Sequence, residues 1–428
     1  MNMPPIRSLI KPIVCMLLLS AVCLLPLSAV FAEEPPLTNV SLQECYRLAL
    51  KQSETLAIQA ELIREAEGRF QQSLSGILPK VSFDVNPSWE DVGDDIERDR
   101  TDKFVFSQPL FSGFKEFAAM AASRAQGRQR KLEMERARQL LFKDVSDAFY
   151  YYLSYIEDMQ ALEKTREALN LRLNDLEERR KLGRSRPSEV ASAQARLSRL
   201  EADIETVDSE LSTARQLLGF LTGHPIESLS DDLIVEDISE NESHYTSKAA
   251  DRPDVKAAHE AAQSAKHLVT AARAGHFPTV DLDGNYYTRR TGSSDSDWDV
   301  LLSISVPLFS GGQTAGLIKE KKAVNRQAEL TFQRTQRLAV NDIQNAYIRL
   351  RSSYRRTTAL EKALAAAQRN YDLQVEDYGR SLVNNLDVLQ ALEDLQDAGR
   401  DAARSNNGLK RAYWDLQTAL GTINYDAF

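Results

Sequence analysis

Between residues 80 and 110, and again between 279 and 307, apolar and polar residues alternate. Over most of the remaining chain apolar residues recur every three to four positions. In the first alternating run Val81, Phe83, Val85 and Trp89 share one side, with Pro87 in register, and Ser82, Asp84, Asn86 and Ser88 share the other. Residues 90 to 101 are charged without apolar order, which predicts an exposed loop, and Lys103 to Leu110 predicts a second, less regular strand. In the later region Val280, Leu282, Gly284 and Tyr286 alternate with Asp281, Asp283, Asn285 and Tyr287. After a polar loop from Arg289 to Asp297, Trp298, Val300, Leu302, Ile304 and Val306 alternate with Asp299, Leu301, Ser303 and Ser305. The pattern predicts four strands, at about 80–89, 103–110, 279–288 and 298–307, long enough to cross a bilayer when tilted. Trp89, Tyr286 and Trp298 sit near the loop ends, where interfacial aromatics belong.

The helical pattern is longer. From Ser41, the residues Leu42, Cys45, Leu48, Ala49, Leu56 and Ala60 predict a helix ending near Ser75-Gly76. Between Gly113 and about Leu182 there is no proline, so one helix there would reach about 105 Å at 1.5 Å per residue. Pro187 marks a turn, and helix resumes to Leu221. In this return arm Leu197, Ile204, Leu211 and Leu218 repeat every seven residues beside Leu200, Val207, Ala214 and Leu221, a coiled-coil seam. A second pair runs from Gly312 to Tyr378, turns near Gly379 to Asn385, and returns to Leu420 with Val388, Leu392, Leu395, Ala402, Leu409, Ala412 and Leu416 on one stripe. Small residues at Ala398, Gly399, Ala402 and Ala403 permit close helix approach. The opposite faces are polar and meet water.

The two halves repeat. Ser107-Gln-Pro109-Leu-Phe-Ser112-Gly113 recurs 198 residues later as Ser305-Val-Pro307-Leu-Phe-Ser310-Gly311, each time between a strand and a long helix. Pro109 and Pro307 are expected to stop the strand ladder. Ser112 and Ser310 are expected to cap the helix by accepting a backbone N–H, and Gly113 and Gly311 complete the strand-to-helix junctions. Upstream, Ile77-Leu-Pro79-Lys-Val81 matches His276-Phe-Pro278-Thr-Val280. Downstream, Asp147-Ala-Phe149 matches Asn345-Ala-Tyr347. The chain thus divides into a first repeat over 33–223, with its helical tip near 183–189, and a second over 249–421, with its tip near 379–387. An acidic linker with Pro225 at its head occupies 224–248, just after Gly223, and a tail 422–428. Phe428 follows helix rather than strand, which argues against a strand-type assembly signal.

Residues 1–32 read as a secretory signal peptide: Arg7 and Lys11, an apolar run from Ile13 to Leu27, and small residues at Val30-Phe-Ala32. The run is short and Pro26 interrupts it, which favours cleavage over a membrane anchor. Cys15 and Cys23 lie inside this segment and neither follows a small residue as a lipoprotein signal requires, so Cys45 alone remains and no disulfide framework is expected. Net charge is -9, and about -11 without the leader, which argues against nucleic acid as a partner. No later stretch is apolar for 18 residues, so any passage through a membrane must be made by strands.

Catalytic, cofactor and metal chemistry find no support. His224, His244, His259, His267 and His276 lack ligand spacing. Asp281-Leu-Asp283-Gly284-Asn285 hints at a calcium loop but places Gly292 where a bidentate Glu is needed. The tips remain: Arg184-Ser-Arg186-Pro-Ser188-Glu189 and Gly379-Arg380-Ser381-Leu-Val-Asn384-Asn385-Leu-Asp387. Each acid opens a return helix and suits its N-terminal dipole. Repeated around an oligomer, Asp387 would also form a negative ring at a pore end, favouring cations.

Asp281, Asp283 and Asp299 cannot face lipid, and four strands cannot close a barrel, so several chains must share one wall around water. With the doubled Pro-Leu-Phe-Ser-Gly junctions and two tip turns, this layout resembles the TolC family of outer-membrane efflux and secretion channels. The resemblance implies a mainly α fold with transmembrane β: duplicated long-helix hairpins forming a trimeric α-barrel, plus four strands per chain in a shared 12-stranded β-barrel in outer-membrane lipid. It implies a homotrimer that docks a periplasmic adaptor and an inner-membrane transporter and passes drugs, metals or polypeptides outward. The family's tip glycines match Gly183 and Gly379, and its aspartate constriction matches Asp387. Gly183, Arg184, Glu189, Gly379, Arg380 and Ser381 become candidates for adaptor docking. Gly183 lies six residues before Glu189, as in the family, but Gly379 lies eight before Asp387, and Gln390 stands where a second acid is often found. The competing reading, a soluble periplasmic coiled-coil scaffold, gives no reason for four runs with apolar outer faces.

Overall fold

The computed structural model describes residues 36–93, 95–237, 240–290 and 296–423. The leader 1–32 and the end of the tail lie outside them. Helix α1 (Leu42–Gln52) and helix α2 (Glu54–Ser75) replace the single helix predicted from Ser41. Ser53 divides them: its N–H closes α1 on Ala49, and its hydroxyl accepts the Leu56 N–H at 3.3 Å to open α2. Strands β1 (Lys80–Val92) and β2 (Asp95–Ser112) follow, then helices α3 (Lys115–Lys181) and α4 (Pro187–Thr222). A short helix α5 (Glu242–Thr246) leads to α6 (Pro253–Arg273), strands β3 (Thr279–Arg290) and β4 (Trp298–Ser305), and helices α7 (Gln313–Gly379) and α8 (Asn385–Leu420).

The two halves match in length. Helices α3 and α7 have 67 residues each, about 100 Å, and α4 and α8 have 36 each. The intervening turns, Leu182 to Arg186 and Arg380 to Asn384, are also equal in length. This corrects the unequal tip spacing inferred from the glycines. The left-handed turn residue is Gly183 (φ 70°) in the first tip but Ser381 (φ 63°) in the second. Gly379 is the last residue of α7 and makes no turn. Counting between glycines therefore misaligned the copies, whereas Glu189 and Asp387 occupy the same helical position.

The four strands form one antiparallel sheet in the order β1-β2-β3-β4. The loop expected over 90–101 is largely strand: β1 and β2 pair without a break to Val92↔Asp95, around Gly93 at φ 78°. A charged sequence hid this, because strands projecting beyond lipid need no apolar face. Pro109 does not end β2 either. The register shifts between Pro109 and Phe111, and pairing continues to Ser112↔Thr279. A bulge absorbs the missing N–H.

Helix α3 is the spine. Leu162, Leu169 and Leu176 of α3 bury against Leu197, Leu200 and Val207 of α4, the seam expected from the heptads, and Leu389 and Leu392 of α8 join them. Where the segment Leu37–Val40 and the linker meet the helices, the core becomes aromatic: Tyr46, Phe142, Phe149, Tyr150 and Tyr152 pack with Trp414. There Leu37 and Val40 bridge in parallel to Ile226 and Leu229, and the Tyr152 hydroxyl donates to the Glu227 carbonyl at 2.8 Å. The linker is thus strapped down rather than loose. Cys45 is fully buried in this core, and burial pushes its thiol up to about 12, which leaves it inert.

Candidate transport path and tip clamp

The pleat sorts the sheet into two faces. Phe83, Phe104, Tyr286 and Trp298 lie across successive strands on one face, as do Val81, Phe106, Gly284 and Val300. Apart from Gly284 these residues expose their side chains in the single chain, Val81 at 70% and Trp298 at 66%, and Ile304 farther along β4 does the same. The opposite face carries Asp281, Asp283, Asn285, Tyr287 and Asp299. Asp299 accepts from the Asn285 amide at 2.8 Å and the Tyr287 hydroxyl at 2.7 Å. An apolar face this continuous suits hydrocarbon, and the polar face suits water. Both edges, β1 and β4, lack a partner in the single chain.

Each strand-to-helix junction uses two consecutive left-handed residues, Gly113-Phe114 and Gly311-Gly312. The serines do not cap as expected. The Ser112 hydroxyl donates to the Glu116 carboxylate, and Ser310 pairs with the Thr314 hydroxyl at 3.2 Å. The left-handed bend puts the first helical N–H groups out of their reach. Gly113 is locked, because a Cβ there would lie 2.7 Å from Phe277 Cβ and 2.9 Å from the Ala274 carbonyl. Gly311 has open space around it.

At the tips both acids accept the backbone N–H of the residue that precedes their helix, and at Asp387 this completes a capping box. Glu189 accepts from the Ser185 hydroxyl at 2.5 Å and the Arg186 N–H at 3.1 Å, and the Ser185 bond foremost holds its carboxyl below the ordinary range. Asp387 accepts from the Asn384 N–H at 3.0 Å while Asn384 accepts from the Leu386 N–H at 2.7 Å and the Asp387 N–H at 3.2 Å. Arg184 and Arg380 are exposed, and Arg380 pairs with Glu376 of its own helix. Leu182, Leu382 and Leu386 project into solvent beside them.

One cluster escaped sequence reasoning. Arg172 reaches from α3 to the other hairpin, where its Nε donates to Asn385 Oδ1 at 2.7 Å and its guanidinium lies 3.7 Å from the Tyr378 ring centroid. Arg179 sits 4.9 Å from the same ring and donates to Asp175 at 3.0 Å. Burial lowers the Arg172 pKa, yet a guanidinium keeps its charge at neutral pH. Above it Arg196 of α4 donates to the Leu389 carbonyl at 2.9 Å and to Glu393. Higher still, the fully buried Asp158 accepts from Arg400 Nε at 2.5 Å and Arg404 Nη2 at 2.6 Å. Helix α8 is thereby laced to the first hairpin. These partners are more than 190 residues apart, so no local spacing announces them.

A membrane-fitted sheet carried on long water-facing hairpins defines an outer-membrane channel subunit. Among the described residues no helix is long and apolar enough to cross a membrane. The sequence profile of the family "Outer membrane efflux protein" matches residues 45–224 and 245–422, so this chain belongs to that family, as a TolC-like exit duct of the Gram-negative outer membrane with a large periplasmic helical part. The outer membrane protein TolC of Vibrio cholerae is 22% identical over 95% of both chains. The alkaline protease secretion protein AprF of Pseudomonas aeruginosa is 26% identical over 91% of this chain and 84% of its own. The crystal structure of the outer membrane protein VceC from Vibrio cholerae superposes with a TM-score of 0.80 at 20% identity, over 89% of this chain and 96% of that one. The soluble-scaffold reading finds no support in these matches.

Proposed function

We propose that three copies of this chain close one duct and receive cargo from a periplasmic adaptor and an inner-membrane transporter. The observation that carries this is a four-stranded sheet with one exposed apolar face and two open edges, mounted on helices about 100 Å long. A lone sheet of this kind leaves edge N–H and C=O groups unpaired in hydrocarbon, and closure with sister chains removes that penalty. Eight strands would fill their own interior, and twelve leave a water-filled lumen lined by Asp281, Asp283 and Asp299.

The tips would serve as gate and dock. Asp387 would ring the narrow end with negative charge. The exposed Leu182, Arg184, Arg380, Ser381 and Leu382, next to Gly183, Gly379 and Glu189, would offer the adaptor a mixed apolar and basic surface. Opening is an outward swing of α7 and α8 from α3 and α4, resisted first by Arg172 with Asn385 and Tyr378, then by Arg196 with Glu393. Transport is passive here, since energy would come from the inner-membrane partner. Planar-bilayer recordings test this: the purified oligomer should conduct, and Asp387→Ala should raise conductance or weaken cation preference. A sealed bilayer sinks the duct, and an unchanged Asp387→Ala record removes that residue from the gate.

A further inference from the structure

The internal duplication specifies how neighbouring chains join, a deduction that rests on the shared-barrel reading above. The two hairpins have the same register: Lys80↔Ser107 in the first corresponds to Thr279↔Ser305 in the second, an offset of 199 for the leading strand and 198 for the following one. Strand β2 has a neighbour on each side, β1 and β3. Its counterpart β4 has only β3. The consequence is visible in the chain. Residues 108–112 of β2 are strand because β3 pairs with them to Ser112↔Thr279. The equivalent residues 306–310 are not strand, and Leu308 and Phe309 stand 93% and 90% exposed. In the first copy Phe111 is half-buried, opposite Val280 and against Phe114.

We propose that the β2–β3 pairing inside one chain is the template for the β4–β1 seam between chains. Carrying the offsets across puts Leu302 opposite Pro87 of the next protomer, Ile304 opposite its Val85 and Val306 opposite its Phe83, all on the apolar face. On the polar face Ser303 meets Asn86 and Ser305 meets Asp84. A bulge at Pro307-Leu308 repeats that at Pro109-Leu110, and Phe309 then covers the next protomer's Val81. The faces were not used to choose the register, yet each of these pairs is like with like. A slip of one residue would set Ile304 against Asp84 or Asn86 and turn carboxylates toward lipid. Residues 306–310 become strand only when the next chain arrives, so the second Pro-Leu-Phe-Ser-Gly junction is completed by assembly.

The test is cysteine cross-linking in membranes, on a Cys45→Ala background. Asn86→Cys with Ser303→Cys, and Val85→Cys with Ile304→Cys, cover both kinds of antiparallel site, whose Cα separations of about 4.5 and 5.5 Å suit a disulfide. Asp84→Cys or Ser88→Cys with Ser303→Cys are the shifted controls. After mild oxidation the matched pairs should give covalent trimers on non-reducing gels, at least fivefold above the shifted pairs. Stronger cross-linking in a shifted pair, or none in a protein that native mass spectrometry shows to be trimeric, overturns the register and leaves the shared barrel standing. No cross-link together with a dispersed monomer overturns both.

Discussion

Arg172→Ala is the most informative perturbation of the clamp. The side chain is 15% exposed, so solvent screens its contacts only partly. Its hydrogen bond to Asn385 joins a charged donor to a neutral acceptor, about 1.5 kcal/mol net at the lower end for such bonds. Stacking on Tyr378 at 3.7 Å adds about 1 kcal/mol. Together about 2.5 kcal/mol per protomer separates joined from parted hairpins, roughly a 60-fold change in that ratio at 1.4 kcal/mol per decade. Single-channel recordings of the reconstituted oligomer should show a larger or more often open conductance. Asn385→Ala should give a smaller increase. The double variant should add little to Arg172→Ala, because both remove one interaction. Arg172→Lys should restore only part of the closure, since an ammonium lacks the planar fork that bonds and stacks at once. An intact oligomer with an unchanged record for Arg172→Ala, or full additivity in the double variant, would refute the clamp.

Three further outcomes follow from other sites. Asp158→Ala leaves Arg400 and Arg404 facing a buried gap and should cost about 3–5 kcal/mol, read as a lower midpoint in helix-monitored melting, with Asp158→Asn losing less; an unshifted midpoint would count against the lacing of α8. Gly113→Ala adds a clash with Phe277 and the Ala274 carbonyl to left-handed strain and should lower oligomer yield sharply, whereas Gly311→Ala bears strain alone, about 1–2 kcal/mol; equal yields would contradict the asymmetry. Glu189 has a depressed carboxyl, so its cap contributes fully above the ordinary 4.5 and is lost as pH falls through its lower folded value; hydrogen exchange at residues 182–189 should accelerate in that acid window, and Glu189→Gln should abolish the pH dependence.

How far the sequence reached differs by element. The sheet faces were legible because side chains of a strand alternate at period two, so Val81 and Asp84 declare their sides without a partner. The α3–α4 seam was legible for a similar reason at period seven. The tips were half legible: capping by Glu189 and Asp387 is local, but glycine misled the alignment because Ser381 takes the left-handed turn instead. The junction serines were misread because Ser112 and Ser310 turn to Glu116 and Thr314 across a bend that no propensity reveals.

Periodicity and repetition thus determined the elements, their lengths, which faces meet lipid or water, and the twofold plan of the chain. Contacts between residues hundreds of positions apart were decided only by the tertiary structure: Arg172 on Tyr378, Asp158 between two arginines, the linker strapped to Leu37 and Val40. The physical reason is range. A helix or strand is specified by neighbours a few residues away, whereas the lacing of one hairpin to another depends on where side chains about 200 residues apart arrive once the coiled coils have formed.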